Sequence, residues 1–390
     1  MSLVNLKDLN LYHKRVIIRE DFNVPMEEGQ ITSDARIKAA LPTIQYALKQ
    51  GAAVILLSHL GRPEEGHTTP EFSLAPIAER LQMLLGCPVR FIPHWLDGFE
   101  IVSGEVVLCE NIRFQKGEKK NDPILAKKIA KLGDIFVMDA FATAHRSEAS
   151  TVGVGQFSKQ ACAGLLLMSE LKALTQALKN PARPLLAIVG GSKVSSKLKV
   201  LASLIQKVDK LILGGGIANT FLVAQGYKLG RSLVENDLIA EAKRLFELAQ
   251  QSQVGIILPI DVVVAKELSA TAKTYIRKLT GIKNDEMVLD IGPESIKVYR
   301  WAIDSAATIL WNGPVGVFEM NPFEAGTKAL SLAIAGSNAF SIAGGGDTLA
   351  AIEKYAIGDK ITYISTGGGA FLEFIEDENF PVLNLLKKRS

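Results

Sequence analysis

Four arginines stand just after short apolar runs in the first half of the chain or open the helix-like segment that follows one. Arg62 lies in SHLGRP (Ser58 to Pro63), Arg113 in ENIRF (Glu110 to Phe114) and Arg146 in DAFATAHR (Asp139 to Arg146). Arg36 lies in SDARIKAALPTI, downstream of DFNVP (Asp21 to Pro25), where Ser33 or Asp34 is placed to cap the helix that Arg36 begins. Any one of them would be an ordinary surface ion-pair partner. Delivered together to one rim, with His59 and His145 beside them, they need anions, because the guanidinium fork matches phosphate and carboxylate bidentately. Asp21 and Asn23 add acceptors suited to a substrate hydroxyl.

The second half carries a different set of turns: GGSK (Gly190 to Lys193), GGGIAN (Gly214 to Asn219), NGPVGVFE (Asn312 to Glu319), GGGDT (Gly344 to Thr348) and STGGGA (Ser365 to Ala370). Glycine lets backbone approach a ligand closely, and glycine turns that feed helix amino termini present N–H groups to phosphates. Lys193 and Lys197 stand four apart, so on a helix they would share a face at its first turn. Two cations there oppose the helix dipole, and an anionic ligand would resolve the conflict. Asp347 precedes the helical pattern TLAAIEKYA and reads equally as a helix cap or a magnesium ligand.

These segments need scaffolds that hold several strand ends side by side. Short Val, Ile and Leu runs alternate with amphipathic stretches throughout, the pattern of βαβ units around parallel sheets, in which ligands sit beyond the carboxyl ends of the strands. Expected strands in the first half are RVIIRE from Arg15, AAVILLS from Ala52, PVRFI from Pro88, EVVLCE from Glu105 and DIFVMD from Asp134. In the second half they are PLLAIVG from Pro184, KLILGG from Lys210, VGIILPIDVVV from Val254, ATILWNG from Ala307, AFSIAGG from Ala339 and ITYISTG from Ile361. Between the two sets, Met168 to Asn180 has helix-forming periodicity and stops at Pro181, a connecting helix at a domain boundary.

Composition fits this plan. A chain of 390 residues exceeds the usual single core, and 48% hydrophobic with 22% charged residues is a globular balance. Lys+Arg 44 against Asp+Glu 41 leaves a net charge of +3, too little to hold nucleic acid or anionic lipid, so any anion site is local. The three cysteines, Cys87, Cys109 and Cys162, form no CxxC pair, as expected for a reducing compartment without structural zinc. The opening MSLVNLKDLN lacks a long apolar core, and ACAGLLLM (Ala161 to Met168) is far short of a membrane span, so a cytoplasmic protein is expected. The P-loop pattern and the protein-kinase motif set are absent. No GxGxxG is complete, since Asn219, Leu349 and Leu372 stand where the last glycine would, which leaves an NAD-dependent dehydrogenase a weak alternative.

The ordered motifs DFNVP, SHLGRP, ENIRF, DAFATAHR, GGSKVSSK, GGGIANTF, WNGPVGVFE, SIAGGGDT and STGGGAF, from Asp21 to Phe371, together resemble phosphoglycerate kinases. The resemblance implies an α/β protein of two doubly wound, Rossmann-like parallel-sheet domains joined by a hinge helix. Residues 1–170 would form the domain for 3-phosphoglycerate, to which the tail from about 372 to 390 returns, and 171–371 the nucleotide domain. It implies substrate contacts at Asp21, Asn23, Arg36, His59, Leu60, Gly61, Arg62, Arg113 and Arg146. Nucleotide contacts would fall at Lys197, Gly214, Gly215, Asn312, Glu319, Gly345, Gly346, Asp347 and Thr348, with Glu319 near the ribose and Asp347 beside the magnesium ion carried by ATP or ADP. Arg36, Lys193, Gly367 and Gly368 would flank the phosphoryl group in transfer between 1,3-bisphosphoglycerate and ADP. A monomer acting on small molecules, without nucleic acid or membrane, is the expectation, and a non-catalytic nucleotide or polyanion sensor is the alternative from another class. The sequence departs from many relatives at Glu20, just before DFNVP, and in DAFATAHR, where Ala142 and Thr143 stand in place of Gly-Thr. Ser196 stands where some have an aspartate, which bears on a second acidic contact to the metal.

Overall fold

In a computed structural model, which describes residues 3–389, the chain divides into two compact units. One is Met1–Lys172 with Asp377–Ser390 and the other is Ala173–Glu376. The chain passes from the first to the second within the helix Leu165–Leu178.

The first unit holds six parallel strands, β1 (Arg15–Arg19), β2 (Ala53–Leu57), β3 (Val89–Ile92), β4 (Val106–Cys109), β5 (Ile135–Met138) and β6 (Gln160–Ala163). Their order is β3-β4-β2-β1-β5-β6. Every residue of β2, β4 and β5 is buried, which parallel strands require because helices cover both faces. Val16, Ile18, Val54, Leu56 and Val137 pack with Ile37 and Ile44 of the helix Ala35–Lys49 and Ile77 and Leu81 of Ala75–Leu85. The helix Pro381–Arg389 closes this unit, with Arg389 Nη2 donating to Lys159 O at 3.0 Å. Winding turns one way from β1 to β2 and the other way to β5, so the switch point lies between β1 and β5.

Two carboxyls mark that switch point. Glu20 follows β1, Asp139 follows β5, and both are wholly buried. Burial, and then the charge of Asp139, raises Glu20 well above the usual carboxyl range, while burial raises Asp139 to about 6. Burial thus favours the protonated form of both carboxyls, and Asp139 Oδ1 accepts from Leu167 N–H at 3.0 Å in the first turn of the helix Leu165–Leu178.

The second unit repeats the plan with β7 (Leu185–Val189), β8 (Lys210–Leu213) and β9 (Gly255–Ile257). A separate antiparallel sheet follows, made of β10 (Asp261–Ala265), β11 (Tyr275–Lys278) and β12 (Met287–Ile291). The chain then returns through β13 (Thr308–Asn312), β14 (Phe340–Ala343) and β15 (Tyr363–Ile364). The main sheet has the order β9-β8-β7-β13-β14-β15, which puts its switch point between β7 and β13. Both units are doubly wound parallel-sheet α/β structures, as expected.

Several local expectations change. VGIILPIDVVV is two strands in two sheets, because Pro259 interrupts the ladder and Asp261 Oδ1 turns to accept from Ser295 N–H at 2.7 Å. ACAGLLLM is the end of β6 and the start of the helix Leu165–Leu178, which begins earlier than Met168 and stops at Leu178. The helix after GGSK begins only at Leu198, so Lys193 and Lys197 do not share a helical face. Asp34 occupies the cap position of Ala35–Lys49 without a side-chain cap, since its carboxylate is taken by Arg80 Nη2 at 2.5 Å and Lys38 Nζ at 2.9 Å. Asp347 is no cap either: Gly345 holds that position, and Asp347 lies inside the first turn of Gly346–Lys354. No helix among the described residues is long and apolar enough to cross a membrane.

Candidate active site

In the first unit the loops after β1, β2 and β4 are laced together by their own polar groups. Phe22 N–H donates to Ser58 Oγ at 2.8 Å, and Gly61 N–H donates to Asn23 Oδ1 at 2.8 Å. Asn111 Nδ2 donates to Leu60 O at 2.8 Å, and Arg113 Nη1 donates to Gly61 O at 2.6 Å. The segment His59 to Gly61 is thereby fixed from both sides. Arg36, in the first turn of its helix, reaches Asp21 Oδ2 at 2.8 Å and donates to Asn23 O at 2.9 Å. Glu148, buried and absent from the sequence reading, sits between Arg113 Nη2 at 3.7 Å and Arg146 Nη1 at 3.9 Å. Arg62 is exposed and makes no ion pair among the described residues.

The histidines add no charge to the rim at neutral pH, and His145 Nε2 accepts from Arg146 Nε at 2.9 Å. Burial holds His59 well below its usual range, and Arg19, Arg113, Arg146 and Arg36 push it further the same way. Burial, then Arg146, lowers His145 to about 4, and its ring packs edge-on at 6.0 Å from Phe380. The positive potential of the rim is therefore guanidinium. Burial also weakens the hold of Arg113 on its proton, the cost of desolvating one cation beside others. The expected substrate residues Asp21, Asn23, Arg36, His59, Leu60, Gly61 and Arg113 are joined by direct contacts, and Arg146 joins through Glu148. Sequence reasoning passed over Arg19, Glu118, Glu148 and Ser150, of which only Glu148, two residues past Arg146, carried a local signal.

In the second unit the corresponding cation is Lys197. Its ammonium donates to Gly190 O at 2.5 Å and Asn312 Oδ1 at 2.5 Å, which ties the loops after β7 and β13 at the switch point. Burial lowers it to about 8, with Asp347 opposing the shift. Asn312 and Thr348 are buried braces: Asn312 Nδ2 donates to Gly344 O at 2.7 Å, and Thr348 Oγ1 accepts from Gly313 N–H at 2.7 Å. Two glycines show why no side chain fits here. A Cβ at Gly190 would lie 1.8 Å from Pro314 O, and Gly345 combines φ +101° with a Cβ position 2.5 Å from Asn312 Nδ2. Loop-on-loop packing thus accounts for some of the glycines that the sequence assigns to ligand approach.

Gly346 and Gly369 open helices and face empty space, so the first-turn N–H groups of Gly346–Lys354 and Gly369–Glu376 lack intrahelical partners. Gly367 is buried and donates to Ser365 Oγ at 3.1 Å, and Gly368 has φ +53° just before the second of these helices. A cavity of about 580 Å³ lies in this unit, lined by Gly191, Gly215, Leu289, Val317, Glu319 and Asp347. Gly214 is buried beneath it, at the cap of Gly215–Ala224. Lys193 is exposed, and Ser196 Oγ donates to Lys193 O at 2.8 Å.

The family model described as phosphoglycerate kinase matches residues 6–378. The chain belongs to the phosphoglycerate kinase family. The phosphoglycerate kinase of Francisella philomiragia is 58% identical over 390 residues and that of Francisella tularensis subsp. novicida 57%, each with 100% of both chains covered. Among solved structures, phosphoglycerate kinase from Coxiella burnetii is 53% identical with a TM-score of 0.94 and 100% coverage of both chains. That from Pyrococcus horikoshii is 36% identical, with a TM-score of 0.82 and 99% coverage of both. Membership makes the chain a glycolytic kinase, a phosphotransferase that works with a nucleotide, and it retires the dehydrogenase and sensor alternatives.

Within that family setting, we predict that nucleotide affinity falls as pH rises through about 8, the value to which burial lowers Lys197. A phosphate beside the ammonium raises its proton affinity, so above that pH binding must take up a proton and below it need not. Calorimetry between pH ~7 and ~9 reads the slope. Lys197→Met should lose both the slope and about tenfold in affinity, the scale of one charge-assisted contact. A wild-type affinity flat across that range would exclude Lys197 from the phosphate site.

Proposed function

We propose that the chain transfers a phosphoryl group reversibly between 1,3-bisphosphoglycerate and MgADP, with 3-phosphoglycerate on the first unit and the nucleotide on the second. The observation that carries this reading is the arginine cluster around a neutral His59 at the switch point of the first sheet. A small, densely anionic ester bearing a carboxylate, a hydroxyl and a phosphate suits it, with Asp21 and Asn23 on the hydroxyl and the guanidiniums on the anionic groups. The cavity of the second unit suits a nucleoside: Glu319 is placed for ribose hydroxyls, and the loops at Gly214, Gly215, Gly345 and Gly346 lead toward Lys197.

Magnesium fits the donors present. The described residues contain no cluster of three metal-ligating side chains, and Asp347 is an exposed carboxylate on the cavity wall, free of a capping bond. Such a site suits an ion held chiefly by nucleotide phosphates and water with one protein carboxylate, and the ion would neutralise phosphate charge. Ser196 supplies no second carboxylate.

The chemistry follows from the nucleophile. A carboxylate oxygen attacks the γ-phosphoryl in line without a general base, so the residues position groups and meet charge on the equatorial oxygens. Arg36 would supply that charge from the substrate side. Lys193, Lys197 and the N–H groups near Gly367 and Gly368 would supply it from the nucleotide side. We place the enzyme in the cytoplasm as a monomer, its three cysteines unpaired.

A coupled assay with 3-phosphoglycerate, MgATP and an enzyme that consumes the acyl phosphate tests the reading directly. In it, Arg36→Ala should lower kcat by about a thousandfold with little loss of nucleotide affinity. A kcat within about threefold of wild type would remove Arg36 from the transferring group.

Asp347→Asn should weaken the magnesium-dependent part of nucleotide binding and spare 3-phosphoglycerate, because an amide oxygen holds a hard dication less well than a carboxylate. Calorimetry with and without magnesium separates the two parts. An unchanged magnesium dependence would assign the metal to other groups.

Transfer also requires reacting atoms within about 3.5 Å and little water between them, so we propose closure of the two units about the helix Leu165–Leu178 and the chain near Gly367 to Gly369. Small-angle scattering should give a monomer mass and a radius of gyration smaller with both ligands than with either alone. Equal radii in all ligand states would show that closure is not required.

A further inference from the structure

Arg19 ends β1 with its side chain wholly buried, behind the rim rather than on it. Its guanidinium is fixed at three points. Nε donates to Ser150 Oγ at 3.0 Å, Nη1 donates to Glu20 O, and Nη2 lies 3.3 Å from His59 Nδ1. Ser150 is itself anchored, its hydroxyl donating to Glu118 Oε1 and its N–H to Glu118 Oε2 at 3.0 Å. Glu118 is fully buried, and burial raises it to about 7.

A guanidinium has five donors and no acceptor, so the contact with His59 has one sense only: Nδ1 offers its lone pair. The nearest carboxylate to that nitrogen, Asp21 Oδ1, is 3.8 Å away, outside hydrogen-bond range. A proton on Nδ1 would face an Arg19 N–H donor to donor and gain no bonded carboxylate in return. The neutral ring therefore carries its proton on Nε2. The groups facing His59 are Arg19 and Asp21 from the end of β1, Arg36 from its helix, Arg113 from the loop after β4 and Arg146 from the loop after β5, and every cation among them opposes an imidazolium.

We propose that Arg19 is a positioning residue that acts through His59, pinning the ring as the Nε2–H tautomer so that the rim meets 3-phosphoglycerate with an N–H donor. The substrate end of this inference rests on the reading of the rim given under Proposed function. Carboxylate and phosphate oxygens are acceptors, so a ring with its lone pair outward would repel the ligand it is placed to bind. Arg19, held by Ser150 and Glu118, removes that alternative before the substrate arrives, which is pre-organisation at a distance of one side chain.

The tautomer is read directly by ¹⁵N shifts of the ring nitrogens in histidine-labelled full-length protein, with the His59→Asn spectrum identifying the His59 signals among the five histidines. In the wild type we expect Nε2 protonated and Nδ1 bare at every pH from ~5.5 to ~8, without titration. Arg19→Met should release the ring: a fraction takes the Nδ1–H form toward Asp21, titration moves into that range, and KM for 3-phosphoglycerate rises about tenfold with KM for MgATP unchanged. Arg19→Lys, which restores a donor, should recover the wild-type tautomer and most of the KM. A wild-type ring with Nδ1 protonated overturns the proposal whether or not Arg19→Met folds, and so does an Arg19→Met protein with unchanged shifts and KM. Failure of the underlying reading looks different: His59→Ala would leave KM for 3-phosphoglycerate unchanged while the wild-type tautomer stayed as stated.

Discussion

A strand paired in parallel on both edges and covered by helices on both faces can carry chemistry only at its carboxyl end. β2 and β5 in the first unit and β7 and β13 in the second are buried along their whole length, so a polar side chain within them would pay desolvation without a partner. Polar groups sit mostly at strand ends, as Arg19 and Asn312 do, and in the loops beyond them, which meet where winding reverses. Arg36, His59, Arg113 and Arg146 gather at one such reversal and Lys197 with Asn312 at the other. The sites are a consequence of how the sheets are wound.

That arrangement concentrates like charge, and the surroundings offset it in distinct ways. Glu148 lies between two guanidiniums, Asp21 pairs with a third, and both histidines are held neutral. Neutral histidines reduce the cost of assembling the rim when it is empty and keep its remaining charge on groups whose fork suits a phosphate or carboxylate. Glu20 and Asp139 do the opposite beneath the same loops, two buried acids whose ionised forms desolvation disfavours at the start of the connecting helix. Glu20 looked in the sequence like an added charge, and in the fold it is wholly buried, where desolvation and the charge of Asp139 disfavour its ionised form.

Much of this was legible from residue order. Apolar runs bounded by glycine or by Asp, Asn and Arg gave the strands of both main sheets except β6, because parallel strands write themselves as continuous hydrophobic stretches. The antiparallel sheet of β10, β11 and β12 was not legible: DVVVA merged with the strand before it, and YIRK is half exposed with no strong alternation. Motif residues of the rim stand out because each follows a strand or, like Arg36, opens the helix after one. Arg19 does not, since as the last residue of RVIIR nothing in the order says that its side chain turns inward to Ser150 and His59. The connecting helix begins at Leu165 rather than Met168, and the helix after GGSK only at Leu198.

Arg36 and Lys197 each hold internal acceptors, Asp21 and the Asn23 carbonyl for one, the Gly190 carbonyl and Asn312 for the other. On the proposed reading, association at either site would be an exchange reaction, in which phosphate or carboxylate oxygens replace protein oxygens already in place. The net free energy is the difference between two sets of charge-assisted bonds, each set worth much more than the difference. Water competes poorly for cations that are already satisfied, while a dianion competes well. On departure the same internal acceptors would take the cations back, so that product leaves without stranding a bare charge. For a catalyst that must run in both directions, such placeholders keep bound states shallow and turnover free of a deep well on either side.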